Sequence, residues 1–476
     1  MVVVGAGLTG LTAAVLLARA GRSVLVLEAE RVGHGTTGRS TAKISLLQGT
    51  RLSAISRLHS QGVLRRYVEA NTEAQTWLLR FCAEHAVTTQ DRTAFTYAHS
   101  ESGIGNVRDE HDLAQSLGLP VEWHARLDLP FSTRGATSLP HQAQVDPVAL
   151  LDSLAARAQE HGAEIVEGVR VRGVRGSGPT TVSTEAGDVA AGHVVVATNM
   201  PILDRGAFFA RMSPQRSYGL ALRTPVPAVE GMYLSADAPS RSLREAPAED
   251  GSILLVGGAG HTTGRARSPL EHLDGLREWA RTCFPEAAEE VSAWSAQDYV
   301  PAGELPFAGP VLPGADHLLV AGGYAKWGMT NGVAAALALT AGILGERPAW
   351  ASVYDTTQAT ELRGLPQLVR SNAEVGLEMT AGWLRPLRRA LGSNEPPAEG
   401  EGQVAYDRVG PPTATSTTDS VVRRVSGVCT HLGGVVRWND AETSWDCPLH
   451  GSRFDADGTV LEGPATCGLT RVHRSD

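Results

Sequence analysis

Residues 2–28, VVVGAGLTGLTAAVLLARAGRSVLVLE, decide the fold of the first part of the chain. A short apolar run leads into Gly5, Gly7 and Gly10 at GxGxxG spacing. A helical stretch follows, and a second apolar run closes on Glu28, 18 residues after Gly10. The pattern predicts strand, glycine turn, helix and strand, one βαβ unit. Gly5 permits the tight turn, Gly7 lets the backbone approach a pyrophosphate, and Gly10 lets the helix pack closely on the sheet. The helix N-terminus then faces the anion, while Glu28 can accept hydrogen bonds from a ribose diol. Dinucleotide binding follows, and the motif by itself leaves FAD and NAD open.

Working outward, a second helix-to-strand passage runs from Val145 to Val166 and on to the buried-type strand HVVVATN, His193 to Asn199. Between and beyond lie alternating segments such as RSYGLALRT (216–224) and GSILLVGG (251–258), which predict an antiparallel sheet interleaved with the parallel one. Asn394 to Gly402, NEPPAEGEG, has no apolar period and is expected to be an interdomain linker. The residues after it have short apolar runs, many turn residues and almost no helical pattern, so they predict a small all-β domain.

The 476 residues allow two or three domains. With 42% hydrophobic and 20% charged residues, they describe a globular protein. The formal net charge of −9 is spread along the chain without a basic block, which argues against nucleic acid as a partner. The apolar run Val333 to Leu344 is too short for a membrane span, so none is expected. Five cysteines without a disulfide-framework spacing fit a reducing compartment, and a cytoplasmic location is expected. Met1 stands four residues before Gly5, so the first strand is short and the true N-terminus is left open.

Four further segments separate FAD from NAD: GHGTTGRSTAK (33–43), QVDP (144–147), VVVATN (194–199) and GGYAKWGMTNGVAAA (322–336). Their order and separations resemble flavoproteins of the D-amino-acid oxidase and glycine oxidase superfamily over roughly residues 1–370. The likeness is strong in the FAD-contacting segments and weak in the substrate domain. It implies FAD as cofactor, held in an α/β, Rossmann-like domain of the glutathione-reductase type. Beside Gly5, Gly7, Gly10 and Glu28, the implied cofactor contacts are Thr36, Thr37, Arg39, Ser40, Thr41, Lys43, Val169, Gly322, Gly323, Lys326, Trp327, Gly328, Met329 and Thr330. The FAD domain is expected to be discontinuous (1–85, 142–210 and 300–372), with an antiparallel-sheet substrate domain at 86–141 and 211–299. A helix and linker (373–402) and the terminal β-domain (403–476) complete the chain.

Of the 42 basic residues only Lys43 and Lys326 are lysine, and both lie inside these flavin segments. The bland reading is chance; the functional one is that a compact ammonium on a flexible stem can do what a planar guanidinium cannot. Charge placed near the flavin N1/C2 carbonyl or N5 would stabilise the reduced flavin. This hypothesis fails if Lys43→Met and Lys326→Met both leave flavin potential and turnover unchanged.

The second deciding segment is CTHLGGVVRWNDAETSWDCPLHGSRFD, Cys429 to Asp455: C-x-H, 15 residues, then C-x-x-H. Two Cys and two His suit either tetrahedral zinc or a [2Fe–2S] cluster with two thiolates on one iron and two imidazoles on the other. The alternating order, with CTHLG and CPLHGS around it, resembles the Rieske family over the whole terminal domain. That implies Cys429, His431, Cys447 and His450 as ligands of a [2Fe–2S] cluster. Relative to high-potential Rieske proteins, Gly434 and Leu449 stand where a loop disulfide would be. Ser452 matches the serine that supports a bridging sulfide, and Phe454 replaces a tyrosine donor. Pro464 is expected to cover the cluster, Cys467 to be a structural thiol, and Cys82 and Cys283 to be core residues. Fewer donors to sulfur stabilise the reduced cluster less. The midpoint potential is therefore predicted to fall below the top of the roughly −150 to +300 mV Rieske range, and protein-film voltammetry giving a value near that top would overturn this.

A flavin and a one-electron cluster together make a two-to-one electron splitter. No second GxGxxG-plus-acid unit offers a nicotinamide site. None of the fifteen histidines shows the D/E-x-x-H-x-x-x-x-H spacing of a Rieske oxygenase iron. The superfamily likeness implies hydride removal from a carbon bearing nitrogen, in a small amine or amino-acid-like substrate. Electrons would leave through the cluster to a protein, quinone or O2. Arg216, Tyr218, Arg244, His261, Lys326 and Trp327 are the candidate substrate contacts, and Lys43 joins Lys326, His261, Arg216 and Tyr218 as candidate catalytic residues. The alternatives are oxidation or oxidative cyclisation at another carbon centre in specialised metabolism, reversed electron flow, or an electron-transfer module serving a partner protein.

Overall fold

The structure is a computed structural model that describes residues 1–176, 180–287, 289–357, 364–389, 395–406 and 410–472. Asn394, the first residue of the expected linker, lies outside them. The opening βαβ unit forms as its sequence dictates. Val2–Val4 pairs in parallel with Leu25–Leu27 on one side and with Val194–Asn199 on the other. The sheet has six strands, in the order 307–310, 318–322, 194–199, 2–4, 25–27, 164–166, with only the first antiparallel to its neighbour. Its period of two divides the first strand between two cores. Val3 joins the helices Leu8–Arg19, Gln61–Glu84, Pro147–Glu160 and Gly328–Leu344, while Val2 and Val4 face a second cluster with Val182 and Phe208. A strand buried on both faces needs the unbroken valine run seen here.

The alternating segments form a second, mostly antiparallel sheet. Glu289–Pro301, Met212–Thr224, Ser252–Thr262, Arg241–Pro247, Met232–Ser235, Thr89–Ala98, Gly135–Val145 and Lys43–Ile44 lie side by side in that order, with Glu122–His124 also on Gly135–Val145. Lys43 thus sits on this sheet's end strand, at the seam between the two sheets.

Helix Leu365–Arg389 leads to two small sheets of three and four strands, whose core includes Trp445, Phe454, Val425 and Val436. Val375 and Met379 of the helix pack against that core. The described part of the expected linker is not a free connector. Gly400 N donates to Thr417 O (2.8 Å), Thr417 Oγ1 to Pro397 O (2.7 Å), and Trp438 Nε1 to Gly400 O (2.9 Å). The Glu399 carboxylate accepts from Asp419 N and Ser420 N. Polar and Gly/Pro-rich composition does not reveal these anchoring hydrogen bonds, which leave no hydropathy signature. Among the described residues, no helix is long and apolar enough to cross a membrane.

Candidate flavin cavity and cluster site

A cavity of about 700 Å³ runs along the C-terminal edge of the parallel sheet to the face of the antiparallel one. At one end Gly5 turns with φ +101°, and a Cβ on Gly10 would fall 2.0 Å from Gly5 O, so this helix–sheet contact tolerates only glycine. The Glu28 carboxylate accepts from Ala6 N (2.7 Å) and Glu30 N (3.0 Å), which fixes it at the cavity wall. Of the cofactor residues expected from sequence, Gly5, Gly7, Glu28, Thr36, Thr37, Arg39, Ser40, Thr41, Lys43, Lys326, Trp327, Gly328 and Met329 line the cavity. Gly10, Val169, Gly322, Gly323 and Thr330 do not line it and act on the frame. Val169 N donates to Glu28 O (2.9 Å), a Cβ on Gly322 would meet Asn199 O at 1.8 Å, and Thr330 accepts from Gln48 Nε2 (3.0 Å). An elongated cavity with a glycine turn, a helix N-terminus and a fixed carboxylate at one end fits a dinucleotide.

Both lysines open onto the other end of the cavity. Lys43 Nζ donates to Ser242 Oγ (2.5 Å) and Thr41 Oγ1 (3.2 Å), and burial together with the nearby Arg244 guanidinium brings its ammonium down to about 7. Lys326 sits at φ +72° directly after Ala325 at +50°, a strained pair for side-chain-bearing residues. Its backbone N–H donates to the Asp298 carboxylate, which also accepts from Asn199 Nδ2 (2.9 Å) and Tyr299 N (2.8 Å). Burial lowers the Lys326 ammonium and Asp298 opposes the shift. Tyr218 lines the cavity with its hydroxyl 3.0 Å from His261 Nε2; His261 stands behind it, off the cavity. Sequence reasoning missed Trp294, whose indole N–H donates to Arg39 O (2.8 Å). A Cβ on Gly219 would lie 2.5 Å from that ring, so the glycine in RSYGLALRT was the available signal.

Besides His261, two further expected substrate contacts lie off the cavity. Arg216 is fully buried and does not line the cavity. Its Nε and Nη2 donate to both oxygens of Glu442 (2.5 and 2.6 Å), and Nη1 lies 3.5 Å from Glu462. Arg453 completes the cluster with Asp446, Glu442 and Glu462 at 3.0, 3.1 and 3.7 Å. Burial resists ionisation of Glu442, but Arg453 and Arg216 overcome it and hold the carboxyl at about 2. Arg244 is also buried off the cavity, where its charge acts on Lys43.

The four residues expected as ligands come together in the terminal domain. The Cys429 and Cys447 thiols are in contact; Cys429 receives the N–H groups of His431 and Leu432 and the Ser452 hydroxyl, and Cys447 those of Leu449 and His450. Such donors stabilise thiolate ligands. The His431 and His450 rings stand 5.2 Å apart at 87°. His450 Nδ1 is buried without a partner, and Asp204 Oδ1 lies 3.0 Å from His431 Nε2. Among the described residues, no three His, Cys, Asp or Glu side chains converge as a single-ion site. A sulfur pair facing a nitrogen pair fits a two-iron cluster. Where a disulfide was expected to be missing, Leu449 covers Gly434: a Cβ there would meet Leu449 Cδ1 at 2.6 Å. Phe454 and Pro464 are buried, Cys82 is buried and Cys283 half-buried, whereas Cys467, expected as a structural thiol, is exposed.

The histidine edge of the cluster site faces the flavin half. Phe209 packs edge-on against both rings at 5.2 and 5.0 Å, and Asp204 belongs to the same segment. Arg265 Nε donates to Pro448 O (3.0 Å), and Gly264, at φ +69°, lies so close that a Cβ would meet Pro448 N at 2.8 Å. Gln297, fully buried, accepts from Thr36 Oγ1 through its backbone carbonyl (2.6 Å) and donates through its side chain to Gly451 O (2.8 Å).

Comparison with known proteins agrees with both halves. Residues 1–341 match the family model of FAD dependent oxidoreductases and residues 395–472 that of the Rieske [2Fe-2S] domain. A protein named for a Rieske 2Fe-2S iron-sulfur centre, YhfW of Bacillus subtilis, is 30% identical over 475 residues, covering 99% of this chain and 92% of that one. The cytochrome b6-f complex iron-sulfur subunit of Synechococcus elongatus is 51% identical over 51 residues, which are 11% of this chain and 28% of the subunit. Among solved structures, glycine oxidase from Geobacillus kaustophilus shares the fold of 75% of this chain and 98% of its own (TM-score 0.64, 19% identity). L-proline dehydrogenase from P. horikoshii does so over 75% and 96% (TM-score 0.61, 17% identity). The chain belongs to the FAD dependent oxidoreductase family and carries a C-terminal Rieske [2Fe-2S] domain, so its cofactors are FAD and a [2Fe–2S] cluster.

Proposed function

We propose that this oxidoreductase oxidises a small amine or amino-acid-like substrate at the lysine end of the cavity, with the electrons leaving one at a time through the Rieske cluster. The observation that carries the proposal is contiguity: Gln297 bridges Thr36 on the cavity wall to Gly451, the residue after the ligand His450. When bound, FAD supplies a two-electron acceptor and the cluster a one-electron one. An amine gives up hydride only as the free base, and Lys43, held near 7 in an enclosed site, is suited to take the ammonium proton. Tyr218, backed by His261, gives the substrate a fixed hydroxyl. Trp294 and Trp327 add apolar surface to the lining of the same cavity. The names of the two fold relatives, glycine oxidase and L-proline dehydrogenase, are in keeping with this substrate class.

The test is anaerobic mixing of the purified holoprotein with a panel of amines and amino acids. Loss of the visible flavin band, followed by the EPR signal of the reduced cluster, is the expected result. A panel in which nothing bleaches the flavin, with cluster reduction only by an added protein donor, would instead favour an electron-transfer module.

A further inference from the structure

Strand Val460–Glu462 belongs to the Rieske domain's four-stranded sheet, yet Leu461, Glu462 and the following Gly463 line the FAD cavity. This ledge is anchored at both cofactor sites. On the flavin side, the Arg170 guanidinium donates to Val460 O (3.0 Å) and to Glu30 (2.9 Å), two residues beyond Glu28. On the cluster side, Gly463 turns at φ +100° and lies directly on the second ligand loop. A Cβ there would fall 2.6 Å from both Gly451 O and Ser452 Cα. Glu462 pairs with Arg453 across the sheet and lies 3.5 Å from the buried Arg216. A displacement of the ligand loop therefore moves the cavity wall, since no slack residue separates them.

We propose that the Rieske domain supplies one wall of the FAD site through Leu461–Gly463, so that FAD retention and cluster occupancy are linked. The cluster ties the loop of Cys429 and His431 to that of Cys447 and His450, and metal-centre binding energy is folding energy for the loops it joins. An occupied cluster holds the second loop, the loop holds Gly463, and the ledge keeps its apolar contact with bound cofactor. Linkage is reciprocal, so bound FAD also slows loss of the cluster. The domain is in this view a fixed clasp on the flavoprotein, not a tethered carrier.

The experiment measures FAD release from the full-length holoprotein, without substrate, by the rise in free-flavin fluorescence after dilution. Three samples are compared: the intact protein, the protein stripped of iron by a chelator under reducing conditions, and Leu461→Ala. Truncating Leu461 removes only apolar contact and leaves every ligand in place, so about tenfold faster release is expected, with iron content and cluster EPR unchanged. Stripping the cluster is expected to accelerate release at least as much, and the FAD-free protein should lose iron faster than the holoprotein. Equal release from Leu461→Ala and the parent would overturn the shared wall. Equal release before and after stripping would overturn the linkage. Because no amine substrate enters the measurement, its outcome is independent of the substrate proposal.

Discussion

Replacing Arg216 with methionine is expected to destabilise docking of the Rieske domain by about 3–5 kcal/mol, the usual cost of removing one partner from a buried ion pair. Arg216 is fully buried and donates to both Glu442 oxygens, with Glu462 at 3.5 Å. Without it, Glu442, Glu462 and the buried Asp446 share the single guanidinium of Arg453. The comparison variant is Arg223→Met on the same strand: its partner Glu289 is 3.0 Å away, but the two side chains are 40% and 64% exposed. Such a surface pair contributes about 0–1 kcal/mol. Denaturant unfolding followed through the cluster's visible band reads the difference. A second replacement, Glu442→Gln, should recover part of the loss because it removes the uncompensated charge. The pH dependence has a defined sign. A carboxyl held at about 2 stabilises the fold above the ordinary carboxylate range and loses that contribution as pH falls through 2. Removing Arg216 raises that value, so the variant should lose its cluster at a higher pH than the parent on acidification. A loss no larger than that of Arg223→Met would show that the network does not hold the two halves together.

The parts legible in the sequence are those whose determinants are close along the chain. The glycine turn, its helix and Glu28 lie within 27 residues, and the four residues expected to hold the cluster within 22, so spacing alone points to the chemistry. The count of two lysines singled out Lys43 and Lys326, and both open onto the cavity. What escaped is set by distant partners. Arg216 meets Glu442 across 226 positions, and Asp204 meets His431 across 227. No local pattern distinguishes an arginine aimed at a substrate from one aimed at another domain. The same holds for residues 395–402, where hydrogen bonds to Thr417, Asp419 and Ser420 anchor a stretch whose composition resembles a linker. Gln297 is illegible for a further reason: its two bridging groups, a backbone carbonyl and a side-chain amide, belong to no motif.

If Lys43 accepts the substrate's ammonium proton, Lys43→Met should lower kcat/KM for an amine by about 10²–10⁴, the range of a general base. Its free amine is the working form. Burial and Arg244 hold the ammonium at about 7, so the working fraction falls about tenfold for each pH unit below 7 and is saturated above it. The parent's kcat/KM should therefore rise with pH to a plateau just above neutrality, and in Lys43→Met that limb should vanish along with the rate. Lys43→Arg separates the proton role from a charge role. A guanidinium beside Ser242 and Arg244 keeps a positive charge at every working pH but cannot take up a proton. If Lys43→Arg is as slow as Lys43→Met, proton acceptance is the function that was lost. If it instead keeps near-parental turnover, Lys43 acts as a fixed charge. In that case a limb that persists near pH 7 must come from a group other than Lys43.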